Sequence, residues 1–322
     1  MGSEVLGRNA AVGIGFESTE GTAVAAARWA RLASLTLNKA TVRQRIDDLS
    51  LGGTGYIQDR YLESLTVDGS LELIAYYQNG SLTSFLRAIV GGTWSTTGAG
   101  PFTHSLEPGA APPAVTLRTA RDTLNTSGAL QRGDVIAGAR VTSATITINT
   151  PNTARIAINF VAMSSTPGSA PTPSLPAHSI PVLYHHANRW LFNSVSYTPR
   201  NVSLSLENGV EGITGQGSAS ITGAAVTGIR TAQATVTRFK DNDNWPDAHT
   251  AGTESDADIT YTSGADQFRI DLRSAIILEP VAIESTSVGL VEETAVFAGR
   301  DDGTNAIVKF VVVNGDTNAE DS

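Results

Sequence analysis

A chain of 322 residues with 31 Gly, 13 Pro, no Cys and 16% charged residues builds its surface largely from Thr, Ser, Asn and Gly, which suits a β-rich protein and excludes disulfide and thiolate chemistry. The formal net charge of −9 argues against tight, sequence-independent binding to nucleic acid, because such binding needs a basic groove that releases counterions. No apolar run approaches the about 18 residues of a membrane span, and Met1-Gly-Ser-Glu-Val5 lacks the basic-then-apolar pattern of a signal peptide, so a soluble, untargeted chain without membrane insertion is expected.

Residues 1–27 are small and Gly/Ala-rich, with Gly13–Thr22 too irregular for a firm assignment, and read as an N-terminal arm. Two long strands, 33–46 and 61–77, then flank the polar, Gly-rich loop Asp47–Tyr56 and form a projecting hairpin. The next segment carries the one convincing helix core. Leu82, Phe85, Leu86, Ile89 and Val90 follow the spacing of a buried helical stripe, Ser81 is placed to cap its start, and Gly91-Gly92 supplies a left-handed stop. Short strands are expected near 102–106 and 114–119, then a loop through Asn125–Gly128, then strands at 138–149 and 154–162. Residues 163–181 hold five prolines, which interrupt a strand ladder and favour an extended linker.

Beyond that linker the order of elements repeats loosely. Strand 201–207 answers 34–38, strand 231–239 answers the one ending at Tyr77, and a short helical turn at Trp245–His249 stands where the first half has its helix; strands at 257–262, 267–278, 290–297 and 306–313 follow. The expected division is an arm (1–27), a first domain (28–163), a Pro/Ser-rich linker (164–188), a second domain (189–315) and an acidic tail (316–322).

Three strands share one polar pattern. In 62–74, Leu62, Ser64, Thr66, Asp68, Ser70 and Glu72 alternate with Glu63, Leu65, Val67, Gly69, Leu71 and Leu73. In 141–149, Ser143, Thr145, Thr147 and Asn149 oppose Thr142, Ala144, Ile146 and Ile148, and in 231–237 Thr231, Gln233, Thr235 and Thr237 oppose Ala232, Ala234 and Val236. Ordinary solvent faces of antiparallel sheets have the same alternation.

The chemical motifs point away from catalysis. Asp241–Asp247 starts like a calcium loop, yet Pro246 stands where an EF-hand needs Gly and no Glu closes the loop. Adjacent His185 and His186 would point to opposite faces of a strand, with no third ligand at useful spacing. Glu207 with Glu211, or Asp256 with Asp258, could pair as glycosidase carboxylates only if the fold set their separation. With no phosphate-binding Gly loop and no nucleophile elbow, the chain reads as a non-enzyme that requires no cofactor and no metal.

Gly15-Phe-Glu-Ser-Thr-Glu-Gly-Thr22, Val67-Asp-Gly-Ser-Leu-Glu-Leu73 with Ala88-Ile-Val-Gly-Gly92, and Val202-Ser-Leu-Ser-Leu-Glu-Asn-Gly-Val-Glu211 occur in an order that resembles the major tail tube proteins of long-tailed bacteriophages. The resemblance implies a mainly β fold, a tail-tube-type β-sandwich or β-roll with a flanking α-helix, which the repeated order of elements would make a tandem duplication within the chain. It also implies a homo-oligomeric virion protein, made and assembled in the host cytoplasm, whose inner sheets join across subunits around a DNA channel. Stacked rings would form the tube and other tail proteins would meet its ends; two tandem domains imply a trimeric ring with pseudo-sixfold symmetry, a single domain a hexameric one.

On that reading Ser64, Thr66, Asp68, Ser70, Glu72, Ser143, Thr145, Thr147, Gln233, Thr235 and Thr237 line the lumen, where hydroxyls, amides and carboxylates keep the bore wet and repel phosphate over about 8 Å. The loop residues Asp47, Asp48, Gly52, Gly53, Gly55, Tyr56, Asp59 and Arg60 would contact a neighbouring ring, the other reading being a plain hairpin tip. The competing class is a β-sandwich recognition module, a carbohydrate-binding tail or capsid decoration, which would rely on exposed aromatics in a shallow groove. The four Trp, at 29, 94, 190 and 245, are scattered through the chain, which favours the tube.

Overall fold

The computed structural model describes residues 5–46, 59–77, 81–123, 130–169, 173, 181–214, 220–285, 290–303, 306–317 and 319. The first half runs β1 (Val5–Phe16), β2 (Arg28–Ile46), β3 (Asp59–Ile74), α1 (Ser81–Val90), β4 (Ser95–Thr97), β5 (Phe102–Leu106), β6 (Val115–Thr123), β7 (Leu130–Asn149), β8 (Arg155–Ala162) and β9 (Ser164–Ser169). After a 3₁₀ turn at Tyr184–His186, the second half runs β10 (Ala187–Phe192), β11 (Val195–Tyr197), β12 (Pro199–Glu207), β13 (Val210–Thr214), β14 (Ile221–Val226), β15 (Thr231–Phe239) and α2 (Asn244–Ala251). It ends with β16 (Ser255–Ser263), β17 (Asp266–Ile277), β18 (Ala282–Ser285), β19 (Val291–Ala298) and β20 (Val308–Asn314).

The protein is mainly β, as expected, and folds as layered antiparallel sheets with two helices. One sheet traverses both halves in the order β2–β3–β8–β7–β12–β15–β19–β18. Behind it, β1, β6 and β9 with the first part of β7 back the first half, while β10, β16, β17 and β20 back the second. Strands β2 and β7 pass from one layer to the other, which rolls the first half closed: Arg28–Arg31 of β2 pair with β1 before the strand continues beside β3, and β7 leaves β6 and β9 to join β8. Apolar residues from both halves meet in one contiguous core.

Every one of these first-half ladders has a counterpart in the second half. β1·β2 answers to β10·β11, β1·β6 to β10·β16, β2·β3 to β12·β15, and β3·β8 to β15·β19. Likewise β6·β7, β7·β8 and β7·β9 answer to β16·β17, β17·β19 and β17·β20. The hairpin β4–β5 departs from this scheme and adds to β20 of the other half.

Helix α1 forms where the apolar spacing predicts it. Leu82, Phe85, Leu86, Ile89 and Val90 are all buried, each stabilising the fold by about 1.5–3 kcal/mol relative to exposure. Gly91 (φ 72°) and Gly92 (φ 82°) terminate it in the left-handed region, and a Cβ on Gly92 would lie 2.1 Å from the Glu107 carbonyl oxygen. Helix α2 covers the predicted turn at Trp245–His249 and is longer than that; its buried Trp245 packs at a tilt against Tyr197 and edge-on against Phe297, both at 5.3 Å between ring centres.

Several segments differ from expectation. Val5–Phe16, read as part of an arm, forms β1, because Gly13 and Gly15 let the strand lie against Trp29 and the 24–26 backbone while Ala11, Val12 and Ile14 enter the core. Within the Pro-rich stretch, Ser164–Ser169 pairs with β7 and Pro181 bridges to Tyr76. Asp59 and Arg60 begin β3 opposite Ile46 and Arg45, where a loop was expected.

Candidate functional site

The face of the through-going sheet that points away from the core is polar along most of its width. Period-2 alternation sets this in each strand, and antiparallel pairing brings the polar positions into rows. One row runs Ser34, Glu72, Ala157, Thr145, Ser205, Gln233 and Ala298, crossing from the first half to the second at the β7·β12 junction. Cross-strand hydrogen bonds tie the face together: Asn38 Nδ2 to Asp68 Oδ2 (3.0 Å), Asn159 Nδ2 to Ser143 Oγ (2.9 Å), and Thr237 Oγ1 with Thr294 Oγ1 (2.9 Å).

Its charges are arranged so that cations are paired. Arg155 lies 3.1 Å from Glu72 and Arg200 pairs with Glu292 while covering the Phe239 ring. At the Glu207 end, where the β13–β14 hairpin packs on the first half, Arg140 is gripped by Glu20 at 3.0 and 2.8 Å, and Glu20 also accepts from Ala224 N. Asp68 and Glu207 have no cation beside them among the described ion pairs. Exposed pairs of this kind contribute little to stability, typically about 0–1 kcal/mol, but they leave the face without a bare guanidinium among these arginines.

The structure brings Thr66, Asp68, Ser70 and Glu72 of β3, Ser143, Thr145 and Thr147 of β7, and Gln233, Thr235 and Thr237 of β15 onto this one face. Ser64 lies in β3, with its side chain outside the described residues. The loop positions Asp47, Asp48, Gly52, Gly53, Gly55 and Tyr56 lie outside them entirely. Sequence reasoning missed Ser34, Thr36 and Asn38 of β2, Asn201, Ser203, Ser205 and Glu207 of β12, and Arg155 and Asn159 of β8, although 201–207 carries the same alternation that identified the other strands.

The remaining motifs are engaged structurally. Asp241 and Asn242 both accept from the Arg238 guanidinium, Asn242 at 2.9 Å. Asp256 bonds Arg273 at 2.7 Å, and Asp258 lies 3.4 Å from Arg269. His185 and His186 occupy one 3₁₀ turn with ring centres 4.7 Å apart, not opposite faces of a strand, and His186 Nδ1 lies 3.1 Å from Tyr77 Oη. Trp29, Trp190 and Trp245 are buried, and half-buried Trp94 donates to the Thr83 carbonyl at 3.2 Å, so no tryptophan offers the open platform a carbohydrate groove needs.

A layered β protein whose broad polar face spans both halves and whose tryptophans are turned inward or engaged is of the β-sandwich class and lacks the aromatic platform of a carbohydrate-recognition module. Residues 7–310 match the family described as phage tail tube protein, and the chain belongs to that family. No curated protein matches it. Its role is therefore structural, as a virion component that self-assembles in the tail tube and meets other tail proteins. Among the described residues no helix is long and apolar enough to cross a membrane.

Proposed function

We propose that three copies of this chain close into a pseudo-sixfold ring, that the polar face of the through-going sheet lines the ring's bore, and that stacked rings conduct the double-stranded genome during ejection. The observation that carries this reading is the continuity of that face across the β7·β12 junction, together with the matched ladders on either side of it. The matched ladders are what a tandem duplication would leave, and two equivalent units per chain give six per three-chain ring. A bore of hydroxyls and amides with surplus carboxylate and paired arginines offers no counterion release to DNA, so the duplex slides without binding.

Electron microscopy of the purified chain at rising concentration, with averaging of end-on views, tests the reading. Three-fold rings are expected; six chains per ring would replace the trimer with a single-unit hexamer, and a monomer at every concentration would count against the tube itself. The segment 47–58 between β2 and β3, with Asp59 and Arg60 at the start of β3, is proposed to contact the next ring. Deleting residues 50–56 is expected to leave rings that no longer stack, and full-length tubes from the deletion would remove that role.

The lumen assignment predicts a kinetic effect. Asp68→Lys with Glu72→Lys should leave assembly intact, since the Glu72–Arg155 pair is exposed and worth only about 0–1 kcal/mol, but should slow DNA passage by placing cations in the bore. Ejection kinetics unchanged in virions carrying the double variant would sink the assignment.

A further inference from the structure

The internal junction between the halves has two open counterparts at the ends of the same sheet. Within the chain, β7 and β12 pair antiparallel from Asn201 opposite Asn149 to Glu207 opposite Ser143. By the ladder correspondence, β12 matches β2, and the part of β7 that pairs with β8 matches the end of β17 with β18, which pair with β19. Among the described residues, Leu32–Lys39 carries no ladder on the side away from β3, and Ala282–Ser285 none on the side away from β19. We propose that a second copy of this chain fills both vacancies: β18 of one subunit adds antiparallel to β2 of the next, in the register that sets Leu37 opposite Ile283. The proposal rests on the tube reading and names the contact that closes its ring.

Two landmarks fix the register. The β2·β3 ladder has a bulge between Leu32 and Ser34, and the β12·β15 ladder has one between Pro199 and Asn201, so Ser34 matches Asn201 and Leu37 matches Leu204. Across the sheet, Gly69 faces Phe160 in the first half as Ala234 faces Phe297 in the second, which makes the two phenylalanines equivalent. Ile156 then matches Glu293, and their partners Ile146 and Ile283 match in turn. Since Leu204 faces Ile146 inside the chain, Leu37 faces Ile283 between chains, with Thr36 opposite Glu284 and Leu35 opposite Ser285.

Burial supports the same assignment. At the internal junction Leu204 is 0% and Ile146 1% exposed, whereas Ile283 at the open edge is 50% exposed and Leu35 and Leu37 are half-buried. These side chains lie on the core side of the sheet and lack only a neighbouring strand to cover them. Over the stretch that would pair, neither edge carries a proline or a core-side charge of the kind that blunts an exposed strand: β2 offers Ser-Leu-Thr-Leu-Asn over 34–38, with core-side Lys39 beyond it and paired to Asp134 at 3.7 Å, and β18 offers Ala-Ile-Glu-Ser over 282–285. Because the two edges differ, the contact is head-to-tail, the kind that generates rings.

The absence of native cysteine makes the test clean. Directly opposed residues of an antiparallel pair lie within the Cα separation a disulfide needs, and a two-residue offset places them beyond it. Leu37→Cys with Ile283→Cys is expected to oxidise to covalent multimers that end at the ring number, while Leu37→Cys with Ser285→Cys is expected to give at least tenfold less. Rings by microscopy with linkage through 285, or with none through 283, would overturn the register and leave the tube reading standing; failure of the unmodified chain to assemble would overturn both. Should the cysteine pair disturb folding, Ile283→Lys serves instead. It is expected to yield a monomer with native circular dichroism and a critical concentration for assembly raised at least tenfold, and unchanged assembly would overturn the proposal.

Discussion

Replacing Arg238 by Met is expected to destabilise the protein by about 3–5 kcal/mol at neutral pH, the cost of leaving a buried charge without its partner. Arg238 and Glu293 face each other from β15 and β19 on the core side of the sheet, and neither is exposed. The guanidinium lies 4.3 Å from the Tyr197 ring centre and 4.5 Å from that of Trp245, and it also reaches Asp241 and Asn242 at the surface. Burial pushes the Glu293 carboxyl above the usual range, against the pull of Arg238. Losing Arg238 removes that pull and drives the carboxyl higher still. A carboxyl whose folded pKa exceeds its unfolded value stabilises the fold fully below the unfolded pKa and loses that contribution as pH rises through the folded one. The deficit of Arg238→Met should therefore shrink as the solution is acidified from neutrality toward the ordinary Glu range.

Glu293→Gln leaves Arg238 with Asp241, Asn242 and two aromatic faces, so about 3 kcal/mol is expected, with a weaker pH dependence. Arg238→Met with Glu293→Leu removes both charges and should return stability to within about 1 kcal/mol of the native chain or above it. Denaturant unfolding of the three variants across pH checks the set. A double variant as unstable as Arg238→Met alone would mean that the pair acts through its packing and not through its charge.

That pair also marks what was legible in the sequence. Period-2 alternation is local, so the polar faces of β3, β7 and β15 were readable from single strands, as was the stripe of α1 with its two glycines. Which strands lie side by side is not local. The β7·β12 junction joins residues from 52 (Asn149 and Asn201) to 64 (Ser143 and Glu207) positions apart, and no pattern in 141–149 or 201–207 names the other as its partner. Ionic matches across strands were hidden for the same reason: Arg155 and Glu72 are 83 residues apart, Arg200 and Glu292 are 92 apart. β1 escaped because its strand-forming residues, Val5, Val12, Ile14 and Phe16, are interspersed with Gly7, Ala10, Ala11, Gly13 and Gly15, which blur the alternation that signals a strand. α2 read only as a turn because its single buried residue, Trp245, gives no helical stripe.

The clasp between the halves yields the second large effect. Arg230, just before β15, donates from Nε to Asn208 Oδ1 at 3.1 Å, from Nη1 to the Gly109 carbonyl at 2.5 Å and from Nη2 to the Val90 carbonyl at 2.8 Å. Asn208 in turn donates to the carbonyls of Ile89 at 2.7 Å and Val141 at 3.1 Å. The carbonyls of Ile89 and Val90 at the end of α1, where the negative dipole end lies, are thus bonded by the second half of the chain, Val90 accepting also from Gly109 N at 3.1 Å. Burial lowers the Arg230 pKa, a sign that the guanidinium gives up solvent to reach this site. Arg230→Met keeps the apolar stem and removes every donor. Since a hydrogen bond to a charged group is worth about 1.5–3 kcal/mol and buried Asn208 Oδ1 loses its donor, a loss of about 3 kcal/mol is expected, with Arg230→Lys in between. Hydrogen exchange should localise the damage, because amides at the end of α1 and the base of β13–β14 lose protection before those of β16 and β17. A loss below about 1 kcal/mol, or protection lost evenly over the chain, would show that the sheet junctions alone hold the halves together and that this clasp is incidental.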